Sequence, residues 1–197
     1  MPKPDYLQPY LQAAERHGGG FGSLLWASPK SQAVRFRSLA RLGELKGRIV
    51  VDAGCGRGDL LDYLLKFANA PSRYIGLEAV AALAQAAEAR NHAIASIVRG
   101  DFVLDPGLFK QRADVIVFSG SLNTLAEDQF YATLSAAWKQ ARRGIAFNFL
   151  CSPRLAAGKH LTWHAISDVL NFVNAWSTEV AMDDRYLEGD CTVVARK

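Results

Sequence analysis

Residues 50–60 read VVDAGCGRGDL, a stretch in which an apolar run ends in an acid and a glycine-rich loop follows. The apolar run is typical of a buried strand, and the apolar residues from Leu60 onward predict a helix. Three glycines at alternate positions let the chain turn sharply and let a ligand lie directly against the backbone, where any Cβ would collide. A plain tight turn is the alternative. The residues of this loop that we predict to bind a ligand are Asp52, Gly54, Cys55 and Gly56.

Short apolar runs alternate with amphipathic stretches on both sides of this loop. Strands that are apolar throughout and are separated by helices indicate a parallel sheet covered on both faces. The last two extended segments are separated by too few residues for a crossover helix, so we expect them to form an antiparallel hairpin. The predicted fold is therefore an α/β, three-layer αβα sandwich around a mostly parallel seven-stranded sheet. Strands are predicted at 49–51, 74–77, 95–98, 114–118, 145–150, 177–186 and 189–196, and core helices at 60–67, 79–90, 126–142 and about 162–174.

Residues 1–46 are predicted to form an N-terminal helical extension or cap, with helices at 5–17 and 30–43. Together with a core at 47–197 they make one domain over residues 1–197. The N-terminus lacks the apolar run of a signal peptide, and no apolar stretch is long enough to span a membrane, which favours a cytoplasmic protein. The four histidines are not spaced like metal ligands, so we expect no metal site.

Glu78 ends the second predicted strand, twenty residues after Gly58. The carboxyl ends of neighbouring parallel strands meet at one edge of a sheet, which places this acid beside the glycine loop. A carboxylate there can accept hydrogen bonds from both hydroxyls of an adenosine ribose. The other interpretation is that Glu78 only caps the next helix.

The glycine loop distinguishes two kinds of nucleoside-binding sheet. A dinucleotide site expects G-x-G-x-x-G, but here Asp59 occupies the third glycine position, where its charge would oppose a pyrophosphate. The loop instead spells D-x-G-x-G-x-G. With the terminal hairpin, it resembles the class I S-adenosylmethionine-dependent methyltransferases over about residues 47–197, and most closely small uncharacterised bacterial members. The resemblance implies an enzyme that uses S-adenosylmethionine and releases S-adenosylhomocysteine.

The same resemblance assigns further residues to the cofactor. In the family an acidic motif after the third strand meets the adenine, and a small polar loop after the fourth strand approaches the methionine part. An arginine before the first strand could pair with the methionine carboxylate. The family's usual acid and histidine near Asn123 are absent, so no catalytic residue is assigned. The residues so matched are Asp101, Phe102, Ser119, Gly120, Asn123 and Arg35.

The acceptor is predicted to be a small molecule methylated on oxygen or nitrogen, because little sequence is left for a recognition domain. Candidates for handling it are His160, His164, Asp168 and Tyr186. Two alternatives remain open. One is an RNA methyltransferase that would use basic residues near 35–48, in keeping with the net charge of +4. The other is a non-catalytic protein that binds S-adenosylmethionine. The sequence predicts no oligomeric state.

Overall fold

The computed structural model describes residues 5–156 and 160–197, which form a mixed β-sheet with helices on both sides. Residues 1–4 of the predicted extension lie outside the described residues. The strands are β1 (Ile49–Ala53), β2 (Arg73–Glu78), β3 (Ala95–Arg99), β4 (Val115–Phe118), β5 (Gly144–Leu150), β6 (Glu179–Asp183) and β7 (Asp190–Arg196). The α-helices are α1 (Gln8–His17), α2 (Pro29–Gly43), α3 (Asp59–Lys66), α4 (Ala81–Glu88), α5 (Glu127–Gln140) and α6 (Ile166–Asn174). Short 3-10 helices cover Asp5–Leu7, Phe21–Leu24 and Pro106–Phe109.

The strands lie in the order β3-β2-β1-β4-β5-β7-β6. The first five strands are parallel to one another, whereas β7 is antiparallel to both β5 and β6. The predicted seven-stranded sheet and its antiparallel hairpin are confirmed. Strand β1 has β2 on one side and β4 on the other, so the strand order reverses at this point. Open α/β sheets bind ligands outside the carboxyl ends of the strands at such a reversal.

Apolar side chains cover both faces of the sheet, and successive residues of a strand supply opposite faces. Val51 belongs to the core on the side of α5 and α6, where it is joined by Phe130 and Val169. Val50 belongs to the core on the other side, together with Leu39 of α2 and others from α3. The predicted three-layer αβα arrangement is therefore confirmed.

The N-terminal helices begin where local chemistry favours a helix. Pro29 stands in the first turn of α2, and the side chains of Ser28 and Ser31 each accept a hydrogen bond from the other's backbone N–H at 3.1 Å. This reciprocal capping satisfies amide groups that a helix start otherwise leaves unpaired. A 3-10 turn at Asp5–Leu7 leads into α1, so the helix predicted over 5–17 is confirmed apart from its first turn.

The helix predicted from about residue 162 begins only at Ile166. The backbone N–H of Thr162 instead donates to the carbonyl of Asn123, and that of His164 donates to the carbonyl of Leu150. These amides are bound to the loop after β4 and to the last residue of β5, which keeps the segment extended. Periodicity does not reveal such contacts, and the predicted start was therefore wrong by about four residues.

Candidate functional site

A cavity of about 210 Å³ opens at the carboxyl ends of β1, β2 and β4, where the strand order reverses. Gly54 follows β1, Glu78 ends β2 and Ser119 follows β4, and all three line the cavity. The sheet thus brings together three segments that lie far apart in the sequence.

The glycine loop has the conformation that its composition predicted. Gly54 and Gly56 both have positive φ angles, of 78° and 57°. A Cβ on Gly54 would lie 2.4 Å from the Cβ of Ser121, and one on Gly56 would lie 2.6 Å from the side chain of Leu24. Backbone conformation and lack of space therefore both require glycine here, and the loop exposes bare backbone to the cavity.

Glu78 connects the glycine loop to the turn that follows β2. Its two carboxylate oxygens accept hydrogen bonds from the backbone N–H groups of Gly56 and Val80, each at 2.8 Å. Burial raises the pKa of Glu78, and these backbone hydrogen bonds act in the opposite direction. Each oxygen keeps a further lone pair for a ligand, so Glu78 can hold the loop and bind hydroxyl groups at once.

Asp101 and Phe102 line the cavity beyond Glu78. Asp101 accepts hydrogen bonds from the Tyr6 hydroxyl at 2.8 Å and from the Val103 backbone N–H at 2.9 Å. Burial and the neighbouring carboxylate raise the pKa of Tyr6. Phe102 packs against other rings and leaves an apolar wall beside the carboxylate. This pairing of an acid with an apolar wall suits the recognition of a heteroaromatic ring that carries an amino group.

Two tyrosines of the N-terminal segment, Tyr6 and Tyr10, cover the cavity, and the sequence analysis assigned neither of them to the site. The hydroxyl of Tyr10 is hydrogen-bonded to Thr124, and burial together with the charge of Glu78 raises the pKa of Tyr10 to about 12. The four-residue spacing of the tyrosines, which puts them on one face of a helix, was the available signal.

The loop after β4 presents polar atoms that have no partner. Among the described residues, nothing bonds the buried Ser119 Oγ or Asn123 Oδ1, although both residues line the cavity. Gly120 donates its backbone N–H to Asn148 Oδ1 at 2.8 Å, which anchors the loop to β5. A Cβ on Gly120 would lie 2.8 Å from the ring of Trp26. Buried polar groups normally have partners, so the unpaired atoms mark a place where a ligand supplies them.

Comparison with known proteins bears on this geometry. Residues 50–144 match a family described as a methyltransferase domain. The match covers just under half of the chain and contains the glycine loop, Glu78, Asp101 and the loop after β4. This segment is therefore similar to a methyltransferase domain, and the chain has the class I methyltransferase fold. No curated protein matches it.

Solved structures share the fold of this chain at low sequence identity. DhpI, in a complex with SAM and HEP, has a TM-score of 0.71 and 14% identity, with 98% of this chain and 96% of that chain covered. Magnesium protoporphyrin IX methyltransferase from Synechocystis PCC 6803, with bound SAH, has a TM-score of 0.62 and 16% identity, with 85% of this chain and 83% of that chain covered. A SAM-dependent methyltransferase from Archaeoglobus fulgidus has a TM-score of 0.65 and 16% identity, covering 83% and 93%.

Nine of the eleven predicted cofactor residues line the cavity, and Asp52 and Cys55 do not. Asp52 shares the face of β1 with Val50, so its side chain turns away from the cavity and accepts a hydrogen bond from the Tyr74 hydroxyl at 2.5 Å. Burial raises the pKa of Asp52 to about 7. Cys55 is buried against Gly76. Contact of these two residues with the ligand stays a prediction, which the cavity lining does not support. The nine that line the cavity are Arg35, Gly54, Gly56, Glu78, Asp101, Phe102, Ser119, Gly120 and Asn123.

Arg35 lines the cavity, but its charge already has a partner. The guanidinium contacts Asp190 Oδ2 through Nη2 at 2.5 Å and Nε at 2.7 Å, and it lies 4.8 Å from the centre of the Trp26 ring. Arg41, on the same helix, pairs with Asp183 at 2.5 Å. Two cations of the predicted basic surface near 35–48 are therefore neutralised by carboxylates, and this weakens the case for RNA on that helix.

The proposed acceptor residues do not gather at the cavity. His164 stacks on Phe130 with ring centres 3.9 Å apart, and burial lowers its pKa. The Tyr186 hydroxyl donates to Asp190, and burial raises the pKa of Tyr186. Neither these two nor His160 and Asp168 line the cavity. No catalytic base is assigned from them.

The described residues, 5–156 and 160–197, contain no group of three or more His, Cys, Asp or Glu side chains placed to hold a metal ion. No helix in that part of the chain is long and apolar enough to cross a membrane.

Proposed function

We propose that this protein is a methyltransferase that transfers the methyl group of S-adenosylmethionine to the oxygen or nitrogen of a small acceptor with an apolar body. The observation that carries the proposal is that the cavity lining combines polar groups with many apolar side chains. Its polar part includes Glu78, Asp101, Ser119, Asn123 and Arg35. Its apolar part includes Leu24, Leu25, Trp26, Leu150, Leu155 and Leu161.

The polar part fits the cofactor in three ways. The backbone of Gly54 and Gly56 lines the cavity with no side chain in between. Glu78 has lone pairs for ribose hydroxyls, and Asp101 beside Phe102 can accept from an adenine amino group. The unpaired Ser119 Oγ and Asn123 Oδ1 suit the amino and carboxylate groups of the methionine part.

When bound, the sulfonium supplies an activated methyl group together with its leaving group. The residues of this chain have to align the acceptor and exclude water. Trp26, packed against Gly120, walls off the loop after β4. Arg35 keeps N–H donors beyond those used on Asp190, and we assign them to the methionine carboxylate.

A small acceptor is supported by the lining and by what the similar proteins handle. The apolar side chains of the cavity offer contact area to a hydrophobic body and few groups to a polar one. The solved structures that share the fold include an enzyme named for a porphyrin substrate, magnesium protoporphyrin IX. The acceptor of the present chain is therefore sought first among small aromatic or aliphatic hydroxyl and amino compounds.

Calorimetric titration with S-adenosylhomocysteine tests the cofactor assignment. We compare the wild type with Glu78→Gln and with the control Glu88→Gln, a half-exposed acid paired with Arg99. A hydrogen bond to a charged group contributes about 1.5–3 kcal/mol, so Glu78→Gln should weaken binding by roughly 10-fold to 150-fold. Glu88→Gln should bind like the wild type, and NADH should not bind.

The proposal is contradicted if the folded wild-type protein does not bind S-adenosylhomocysteine, or if it binds NADH as tightly as S-adenosylhomocysteine. If binding is found, incubation with S-adenosylmethionine and a panel of small hydroxyl and amino compounds should release S-adenosylhomocysteine. Cofactor binding without release from any small acceptor, but with release from RNA, would refute the acceptor part alone.

A further inference from the structure

The edge of the sheet opposite the cavity, where the parallel strands begin, carries two basic hollows. The larger has a volume of about 860 Å³ and lies where β1 and β2 begin. The smaller, of about 190 Å³, lies where β4, β5 and β6 begin and β7 ends. Their cations are Arg73, Lys110, Arg112 and Arg142 in the first, and Arg48, Arg143, Arg196 and Lys197 in the second.

These cations outnumber the carboxylates around them. Of the residues lining the two hollows, eight are Lys or Arg and only Glu44 and Glu179 are acidic. The whole chain has a net charge of only +4, so its positive charge is concentrated at this edge. No described carboxylate pairs with Arg73, Lys110 or Arg112, all of which are exposed. Among the described residues, this edge therefore presents positive charge that the fold does not neutralise.

The hollows adjoin each other because they share two chain segments. Ile49 and Arg142 line the larger hollow, and their chain neighbours Arg48 and Arg143 line the smaller one. The cations follow the strand order from β2 through β1, β4 and β5 to β7. Neighbouring strands lie about 4.8 Å apart, so this row is about 19 Å long. A single phosphate is too small to contact the whole row, whereas a chain of phosphates can follow it.

We propose that this edge binds the phosphodiester backbone of a single nucleic-acid strand. A positively charged groove can track a nucleic-acid backbone, and the two hollows supply both the positive charge and the concave surface. The side chains lining the hollows include no Phe, Tyr or Trp on which bases could stack. The binding is therefore electrostatic and independent of sequence. It is separate from methyl transfer, because a five-residue strand such as β1 puts roughly 16 Å between this edge and the cavity.

Fluorescence anisotropy with a labelled oligouridylate of twenty nucleotides tests the proposal at several salt concentrations. The variant Lys110→Ala/Arg112→Ala removes two unpaired cations from the larger hollow. The control Lys30→Ala/Arg37→Ala removes the same charge from exposed positions on α2. For single strands the slope of log K against log salt is about −0.7 per phosphate neutralised. The edge variant should bind at least 10-fold more weakly and lose about 1.4 from the slope, while the control stays close to the wild type.

Three results would overturn the proposal. They are no binding by the wild type at low salt, equal weakening in the edge variant and the control, and equal or tighter binding of polyglutamate or of phosphatidylserine vesicles through the same residues. The last result would assign the edge to an acidic protein or a membrane. Binding of S-adenosylhomocysteine by both variants checks that each is folded.

Discussion

Replacing Asp190 by asparagine should destabilise the protein far more than most single substitutions. The Asp190 side chain is fully buried, and the Arg35 side chain that it pairs with is 7% exposed. Asp190→Asn leaves the guanidinium buried without an anion, and an arginine cannot shed its proton. Breaking a buried pair from one side costs about 3–5 kcal/mol. For a chain of this size the melting temperature should fall by roughly 6–20 °C.

The opposite substitution, Arg35→Met, should cost less and should depend on pH. Burial raises the pKa of Asp190, while Arg35 and Tyr186 lower it. Without Arg35 the carboxyl can take up a proton instead of staying charged. Its folded-state pKa then lies above the unfolded value, so stability is retained below about pH 4 and is lost as the pH rises through the folded pKa. Asp190→Asn should show no such dependence.

Urea unfolding followed by circular dichroism at pH 5 and pH 8 measures these effects. Arg41→Met is the matched control. Arg41 lies on the same helix and pairs with Asp183, but its side chain is 57% exposed. An exposed pair contributes at most about 1 kcal/mol. The double variant Arg35→Met/Asp190→Asn should lose less than the sum of the single losses. Additive losses, or a loss below 1 kcal/mol for Asp190→Asn, would refute the reasoning.

Two further predictions concern groups near the cavity. Because burial raises the pKa of Asp52 from 3.8 to about 7, its stabilising contribution should be lost as the pH rises from about 4 through 7. The stability of Asp52→Asn relative to wild type should therefore increase by roughly 3–4 kcal/mol between pH 4 and pH 8 in urea titrations, and a flat difference would contradict this. Tyr6→Phe removes the hydrogen bond to Asp101 and should weaken calorimetric binding of S-adenosylhomocysteine by about threefold to tenfold. An unchanged affinity would show that this bond does not support the site.

The local sequence was enough to predict the sheet, the hairpin and most of the cavity. The glycines of residues 50–60 are needed at their own positions, for positive φ angles and for lack of space, so composition alone revealed the loop. Glu78 was predictable because the ends of parallel strands meet at one edge. The family resemblance then extended the prediction to the loops after β3 and β4.

Tertiary structure decided which way side chains turn and which distant residues meet. Asp52 and Glu78 both lie near strand ends, yet one faces Tyr74 and the other faces the cavity. Arg35 meets Asp190 across 155 positions of sequence. The cations of the basic edge are scattered along the sequence from Arg48 to Lys197, so no run of charged residues predicted this surface. Periodicity and turn chemistry depend on near neighbours in the chain. The direction of a side chain, its ion-pair partner and the clustering of charges depend on packing between elements far apart in the sequence.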